Sequence, residues 1–332
     1  AQEAEKFGFE TIWTQDNIAG HSPIPRTIEI LDTWSFLSAI AASTSKIRLG
    51  SMATPVIRRP APLLAKTIAS VDVISGGRVN VGLGTGDDVG QYEMIGQRFP
   101  DTIQERRGIL RESIDVLKTM WSEEFANYDG DHFVLKDAVL SPKPIQRPNP
   151  PLYICCNTSK KIMPRIAAKK ADALAVMWGH DPTCKLVLDS FREEWVNEGR
   201  RKDNFKALRS AYIVICNHND ENKARRETRE ITSFPYDEHS QTASQAIVPL
   251  GSDPDLFVFG TPTKLAEELQ RRVFDLGFND LMCSFVACKD VKIDTGGFGG
   301  WPGRWLGGMR IFAQEIMPLL KNQKSLKGEM LS

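Results

Sequence analysis

The sequence has no surplus of charge of either sign: 42 Lys and Arg stand against 42 Asp and Glu over 332 residues. A nucleic-acid binder ordinarily carries a basic excess, so that partner class is not expected. No run approaches the roughly 18 apolar residues that a membrane-spanning helix requires, so no membrane partner is expected either. The six cysteines are scattered, without a CxxC pair or a Cys/His group at metal-ligand spacing. Adjacent Cys155 and Cys156 are poorly arranged to chelate one ion, and no metal is expected. The chain starts Ala-Gln-Glu with no signal or transit peptide pattern, and unpaired thiols in apolar strands suit a reducing cytoplasm. The glycine-dense run 296–308 lacks the Lys-Ser/Thr pair of a phosphate-binding P-loop.

What the sequence does contain is a regular alternation of short apolar runs and amphipathic segments. Strands are expected at Thr11–Thr14, Ile47–Ala53, Val79–Gly84, Leu152–Cys155, Ala173–Met177, Ser210–Cys216 and Asp280–Phe285. Helices such as Pro62–Ile74 and Thr102–Trp121 separate them, and Tyr128–Leu135 reads as a hairpin around Asp129-Gly130. This order indicates βαβ units and a parallel sheet. The expected fold class is α/β, a (β/α)8 TIM barrel forming one domain over residues 1–332. Because Ala1–Phe7 reads as the end of a helix, the first strand is expected upstream of residue 1. A doubly wound sheet would place its glycine fingerprint after the first strand, whereas here the glycines follow Val79–Gly84. Residues 233–260 read as an insertion, and Gly296–Gly308 as a loop closing the last barrel unit before a helix at Met309–Leu320.

Active sites of parallel barrels lie at the carboxyl ends of the strands. Gly84, Thr85 and Gly86 form such an end, where small residues let backbone approach a flat ligand. Asp87 follows, either as a site carboxylate or as a helix N-cap, with Asp88 the better cap candidate. Cys156, Asn157, Thr158 and Ser159 lie between a strand and a helix, where amides and the helix dipole favour an anion. Lys160, Lys161 and Arg165 would extend that attraction; the alternative is plain helix capping beside solvated lysines. His180, Trp301 and Trp305 are further candidates for the rim.

The run IRLGSMATPVIRRPAPLLAKTIASVDVISGGRVNVGLGTGDD resembles the luciferase-like TIM-barrel superfamily of flavin and deazaflavin oxidoreductases. GFETIWTQDN, FANYDGDHFVLKDA, NPPLYICCNTSKK and the TPTKLAEEL…LGFNDL pattern agree with that family in order and spacing. SMATP paired with GTGD resembles the branch that uses the deazaflavin coenzyme F420, including methylene-tetrahydromethanopterin reductases and F420-dependent dehydrogenases. The resemblance implies hydride transfer between deazaflavin C5 and a small organic substrate, with a methylene-tetrahydropterin the one the pattern resembles best. The alternatives are an FMN-dependent monooxygenase and a non-catalytic binding paralogue.

The resemblance also implies site residues. A non-prolyl cis peptide at Ser51–Met52 would back the deazaflavin ring, and Asp87 would contact ring and substrate. Asp16 would bind the cofactor or cap its turn. Asn17 stands where many relatives carry a His, and Asn cannot exchange a proton near neutral pH. This departure puts a sugar-phosphate-type acid/base mechanism in doubt and makes His21 the candidate imidazole in the same loop. The CCNTSKK loop would hold the cofactor's phosphate-bearing tail. A homo-oligomer, dimer or tetramer, is implied by the resemblance alone.

Overall fold

Parallel pairing of short apolar strands organises the chain. The computed structural model describes residues 1–20, 26–27, 29–157, 159–177, 179–220, 222–224, 226–227, 257–288, 291 and 300–320, without the side chains of 286 and 300–305. The strands are β1 (Thr11–Thr14), β2 (Arg48–Pro55), β3 (Val79–Gly84), β6 (Leu152–Cys156), β7 (Ala173–Val176), β8 (Lys206–Ile215), β9 (Phe257–Gly260) and β10 (Asp280–Ala287). They form one sheet in the order β1-β2-β3-β6-β7-β8-β10, with β9 attached to β8. A separate antiparallel hairpin joins β4 (Ala126–Asp129) to β5 (Val134–Ala138). The architecture is the α/β barrel type expected from the alternation. Among the described residues no ladder joins β1 to β10; the ring of Phe9 meets those of Phe285 and Phe312 across that seam, with centroids 5.9 and 6.1 Å away.

Helices cover the outside of the sheet because each carries one apolar stripe. Asp32 caps α2 (Thr33–Ser43) by accepting the Ser35 amide at 2.9 Å. Helix α3 (Ala61–Ser75) starts beside Pro62, where a missing N–H costs nothing, and stops at Gly76 with φ +69°. Thr102 caps α5 (Ile103–Ser122) by accepting the Glu105 amide at 3.1 Å. Leu64, Ile68, Leu110, Ile114 and Leu117 are wholly buried in one cluster with Val79, Val81 and Leu83 of the sheet. Helices α6 (Ile162–Lys170), α7 (Asp181–Asn197) and α8 (Pro262–Leu269) continue the outer layer. Among the described residues no helix is long and apolar enough to cross a membrane.

The inward face of the sheet is lined differently. Met52, Tyr153, Ala173, Ala175, Met177 and Leu208 form a second cluster, flanked by Trp13, Cys155 and Met282. Glycine at position 50 makes room for it, since a Cβ there would lie 2.5 Å from the Trp13 ring. At the amino-terminal end of the strands, Lys206 reaches Asp280 at 3.3 Å and Glu10 at 3.6 Å. Just outside, Glu5 accepts the amides of Ser45, Lys46 and Ile47 at 3.0, 2.7 and 2.9 Å, fixing the entry to β2.

Two segments differ from expectation. The stretch read as irregular to Gly260 ends in strand β9, whose Phe257–Gly260 run pairs with Tyr212–Ile215; residues 233–256 lie outside the described residues. The glycine-dense stretch is helical from residue 300, as α9 (Gly300–Ile311). Packing of α9 on β10 outweighs the roughly 1 kcal/mol that each glycine costs a helix.

Candidate active site

The carboxyl ends of β1, β2, β3, β6 and β7 converge above the sulfur-rich interior. Register explains the shape of the β2 end. Ser51 pairs with Val81 but Thr54 pairs with Leu83, so β2 carries one extra residue against β3 and bulges between them. The non-prolyl cis bond lies inside this bulge at Met52–Ala53, one bond beyond the expected Ser51–Met52. Ser51 remains in the ladder, with its hydroxyl donating to the Gly82 carbonyl at 3.1 Å, which fixes the irregular bond beyond it. Met52 is buried with its sulfur 3.1 Å from the Cys155 thiol. Among the described residues, a Cβ on Gly84 would touch only the Ala53 methyl, at 3.6 Å, so Ala53 and Gly84 form a ledge at the β2 and β3 ends.

The β3 end continues through Thr85, Gly86 and Asp87. Gly86 has φ +75°, and a Cβ there would sit 2.7 Å from the Tyr92 hydroxyl. Its carbonyl accepts from Arg106 Nη1 at 3.0 Å. Burial pushes the Tyr92 phenol up to about 12, so it stays protonated beneath the turn. Asp87 is exposed, and its negative charge is felt at Tyr92, Arg106 and Cys155. It is not a cap. The N-cap position of α4 (Val89–Glu93) belongs to Asp88, yet that carboxylate does not cap either. It turns to Arg26 Nη2 and Gln91 Nε2, each at 3.2 Å.

Asp16, expected to bind the cofactor or cap its turn, is engaged by arginines. Its carboxylate is buried, and Arg59 donates to both oxygens, Nε at 3.2 Å and Nη2 at 3.1 Å. Arg58 lies 3.6 Å from the same group and also hydrogen-bonds the Asp16 carbonyl. Asp16 thus fixes the β1 end rather than facing the opening. Asn17 is half-buried and donates to Gln15 Oε1 at 3.2 Å. His21, Thr158 and Trp178 lie outside the described residues, as do the side chains of Trp301 and Trp305.

The third wall is the β6 end. Cys156 is buried, with its thiol donating to the Ser159 carbonyl at 3.2 Å; burial pushes that thiol up to about 12. Burial likewise raises the Cys155 thiol, so neither is a ready nucleophile. Ser159 Oγ accepts the Met163 amide at 3.3 Å and lies 3.5 Å from Arg107 Nη2. Capping and a cationic group therefore meet at the same hydroxyl. Arg165 instead turns to Glu194 of α7, at 3.8 Å. His180 stands at the N-cap of α7 with its side chain exposed.

Arg58, Arg59, Gln91, Arg106 and Arg107 escaped the sequence reading. The RR pair after the β2 end and the RR pair in α5 were the available signal, but their partners are 20 to 52 residues away in sequence.

The luciferase-like monooxygenase family model matches residues 1–280. The chain belongs to the luciferase-like monooxygenase family. An F420-dependent glucose-6-phosphate dehydrogenase of Microbacterium testaceum is 25% identical over 96% of this chain and 91% of its own length. Its counterpart from Kineococcus radiotolerans is 31% identical, over 46% of this chain and 44% of that protein. A solved F420-dependent secondary alcohol dehydrogenase, in complex with an F420-acetone adduct, superposes with a TM-score of 0.76 at 20% identity, covering 96% of this chain and 92% of its own. Luciferase-like family members thus share the barrel across nearly the whole chain.

Proposed function

We propose that this luciferase-like chain is an F420-dependent oxidoreductase that moves a hydride between the deazaflavin and a small organic substrate. The observation that carries this reading is the ledge of Ala53 and Gly84. It follows the buried Met52, and a Cβ on Gly84 would meet nothing among the described residues but the Ala53 methyl; the Ser159–Arg107 corner stands at the end of a strand in the same sheet. A planar apolar ring with an anionic tail fits such a site, because the interior offers Met52, Trp13, Met177 and Cys155 and the corner offers a guanidinium. The near full-length likeness to a protein named for F420-dependent sugar-phosphate oxidation supports the same cofactor.

When bound, the deazaflavin supplies hydride chemistry at its C5. The chain's own residues do the rest. Ala53, Gly84, Thr85 and Gly86 would hold the ring. Cys156, Asn157, Thr158 and Ser159, with Arg107, would hold the phosphate-bearing tail. Asp87, exposed at the rim, holds or takes the substrate proton as hydride moves. Asn17, with His21 four residues on in the sequence, would serve the substrate, and Asp16 fixes the β1 end through Arg59.

The substrate belongs to this proposal in its coarse form, a small organic hydride donor or acceptor. Within it we place a methylene-tetrahydropterin ahead of a sugar phosphate, because Asn17 stands where an imidazole would serve sugar oxidation. The six free thiols support a reducing, cytoplasmic setting, and a homo-oligomer is part of the same reading. Separate titrations with F420 and FMN, followed by fluorescence quenching, test the cofactor. Binding of F420 with FMN weaker by at least tenfold is expected, and tight FMN binding without F420 binding would overturn it. A substrate screen on the reduced cofactor, and light scattering for assembly, test the finer parts.

A further inference from the structure

A separate cluster stands at the carboxyl ends of β8 and β10. Cys216 and Cys288 follow the in-register pair Ile215 and Ala287, and both are fully buried. Their sulfurs are 3.0 Å apart. His218 and Glu227 close over them, with Nε2 and Oε2 3.5 Å apart. Ligand atoms of Cys216, His218 and Glu227 all lie within 4.8 Å of one another. The sequence disguised this group, since Cys216 and His218 are two apart, Glu227 follows nine later and Cys288 arrives from another strand.

We propose that Cys216, Cys288, His218 and Glu227 form a closed tetrahedral site for a divalent cation of the zinc type. A zinc shell has bonds of about 2.3 Å to sulfur and about 2.0–2.1 Å to nitrogen and oxygen, which puts N and O ligands roughly 3.4 Å apart and two sulfurs roughly 3.8 Å apart. The His218–Glu227 spacing of 3.5 Å already matches; Cys288 lies outside the group whose ligand atoms are mutually within 4.8 Å and joins the shell by side-chain rotation, which also parts the two sulfurs from 3.0 Å. On entry the ion displaces two thiol protons to solvent, leaving two thiolates and one carboxylate against the dication. Lys223 Nζ, 3.7 Å from the other Glu227 oxygen, brings the assembly to neutrality. A disulfide would use the sulfurs but would leave the convergence of an imidazole and a carboxylate on them without a purpose. With four protein ligands the site is structural: it pins the stretch after β8 to the stretch after β10 beside the barrel mouth.

The test is elemental analysis of the full chain purified under reducing conditions without chelator. One zinc per chain is expected, falling at least tenfold in Cys288→Ser and in His218→Ala but not in Cys184→Ser, whose thiol lies elsewhere. Because a ligand variant can misfold, the wild-type protein is also stripped and titrated with Co2+. Thiolate-to-cobalt charge-transfer absorption that zinc then abolishes is the expected signature. Metal-free protein that gives no such absorption, a Cys216–Cys288 disulfide in the reduced preparation, or full zinc retention in both ligand variants would each overturn the site.

Discussion

Arg59 grips Asp16 with two hydrogen bonds of 3.1 and 3.2 Å while a second contact ties the same guanidinium to Asp32, the cap of α2. One arginine thereby locks the β1 end, the α2 start and the β2–α3 turn together. Burial pulls the Arg59 pKa down, but the hydrogen bonds and charges of Asp16 and Asp32 raise it overall. Arg59→Ala would leave the buried Asp16 carboxylate with only the longer Arg58 contact at 3.6 Å, and we expect a loss of about 2–3 kcal/mol in a urea melt. Asp16→Asn in the same background should recover part of that loss, because the two sites share one interaction. Simple additivity would show that the pair is not coupled.

Asp87 is separable from the fold. The cap position belongs to Asp88, and Asp87 is exposed, so Asp87→Asn should leave the melting temperature unchanged. If it relays a proton, kcat with reduced F420 and substrate should fall by about 100-fold or more. Unaltered turnover would remove Asp87 from the chemistry.

Gly86 tests the turn itself. Gly86→Ala places a methyl against the Tyr92 hydroxyl at 2.7 Å and forces φ +75° on a chiral residue. The backbone part alone costs about 1–2 kcal/mol. Tyr92→Phe should relieve the contact but not the backbone cost, so the double variant should melt between wild type and Gly86→Ala.

Acid sensitivity has a definite source at the opposite end of the barrel. The Ile47, Lys46 and Ser45 amides hold Glu5 at about 2 against an ordinary 4.5. Its folded pKa is depressed, so its contribution is complete above pH 4.5 and is lost as pH falls through about 2. Melting temperatures of wild type and Glu5→Gln should therefore differ at pH 6 and converge near pH 2. Parallel curves over that range would discard this linkage.

The sequence was informative where local chemistry decided the outcome. The apolar run Val79–Gly84 ending in glycines, the Thr102 cap and the Gly76 stop each need only neighbours to be understood. It was silent where distant segments decided. The bulge in β2 is set by its register with β3, which moved the irregular bond from Ser51–Met52 to Met52–Ala53. Strand β9 is four residues long and exists because the upper half of β8 offers it an edge. Asp16 reads as a site acid until Arg59, 43 residues on, takes both of its oxygens.

Strand β8 is ten residues long and serves three neighbours: β7 beside its first half, β9 beside its second, and β10 along the other edge. The chain leaves β8 at Ile215 and returns as β9 to the same strand, where Cys216 donates to the Gly260 carbonyl at 2.9 Å and Thr261 to Asn219 Oδ1 at 3.1 Å. Departure and return are thus clamped to one another before the intervening residues matter. Closing a longer excursion across such a clamp costs only about 0.6 kcal/mol for each doubling of length. Lineages can therefore lengthen, shorten or rewrite the residues between Asn219 and Phe257 while the barrel beneath is left intact.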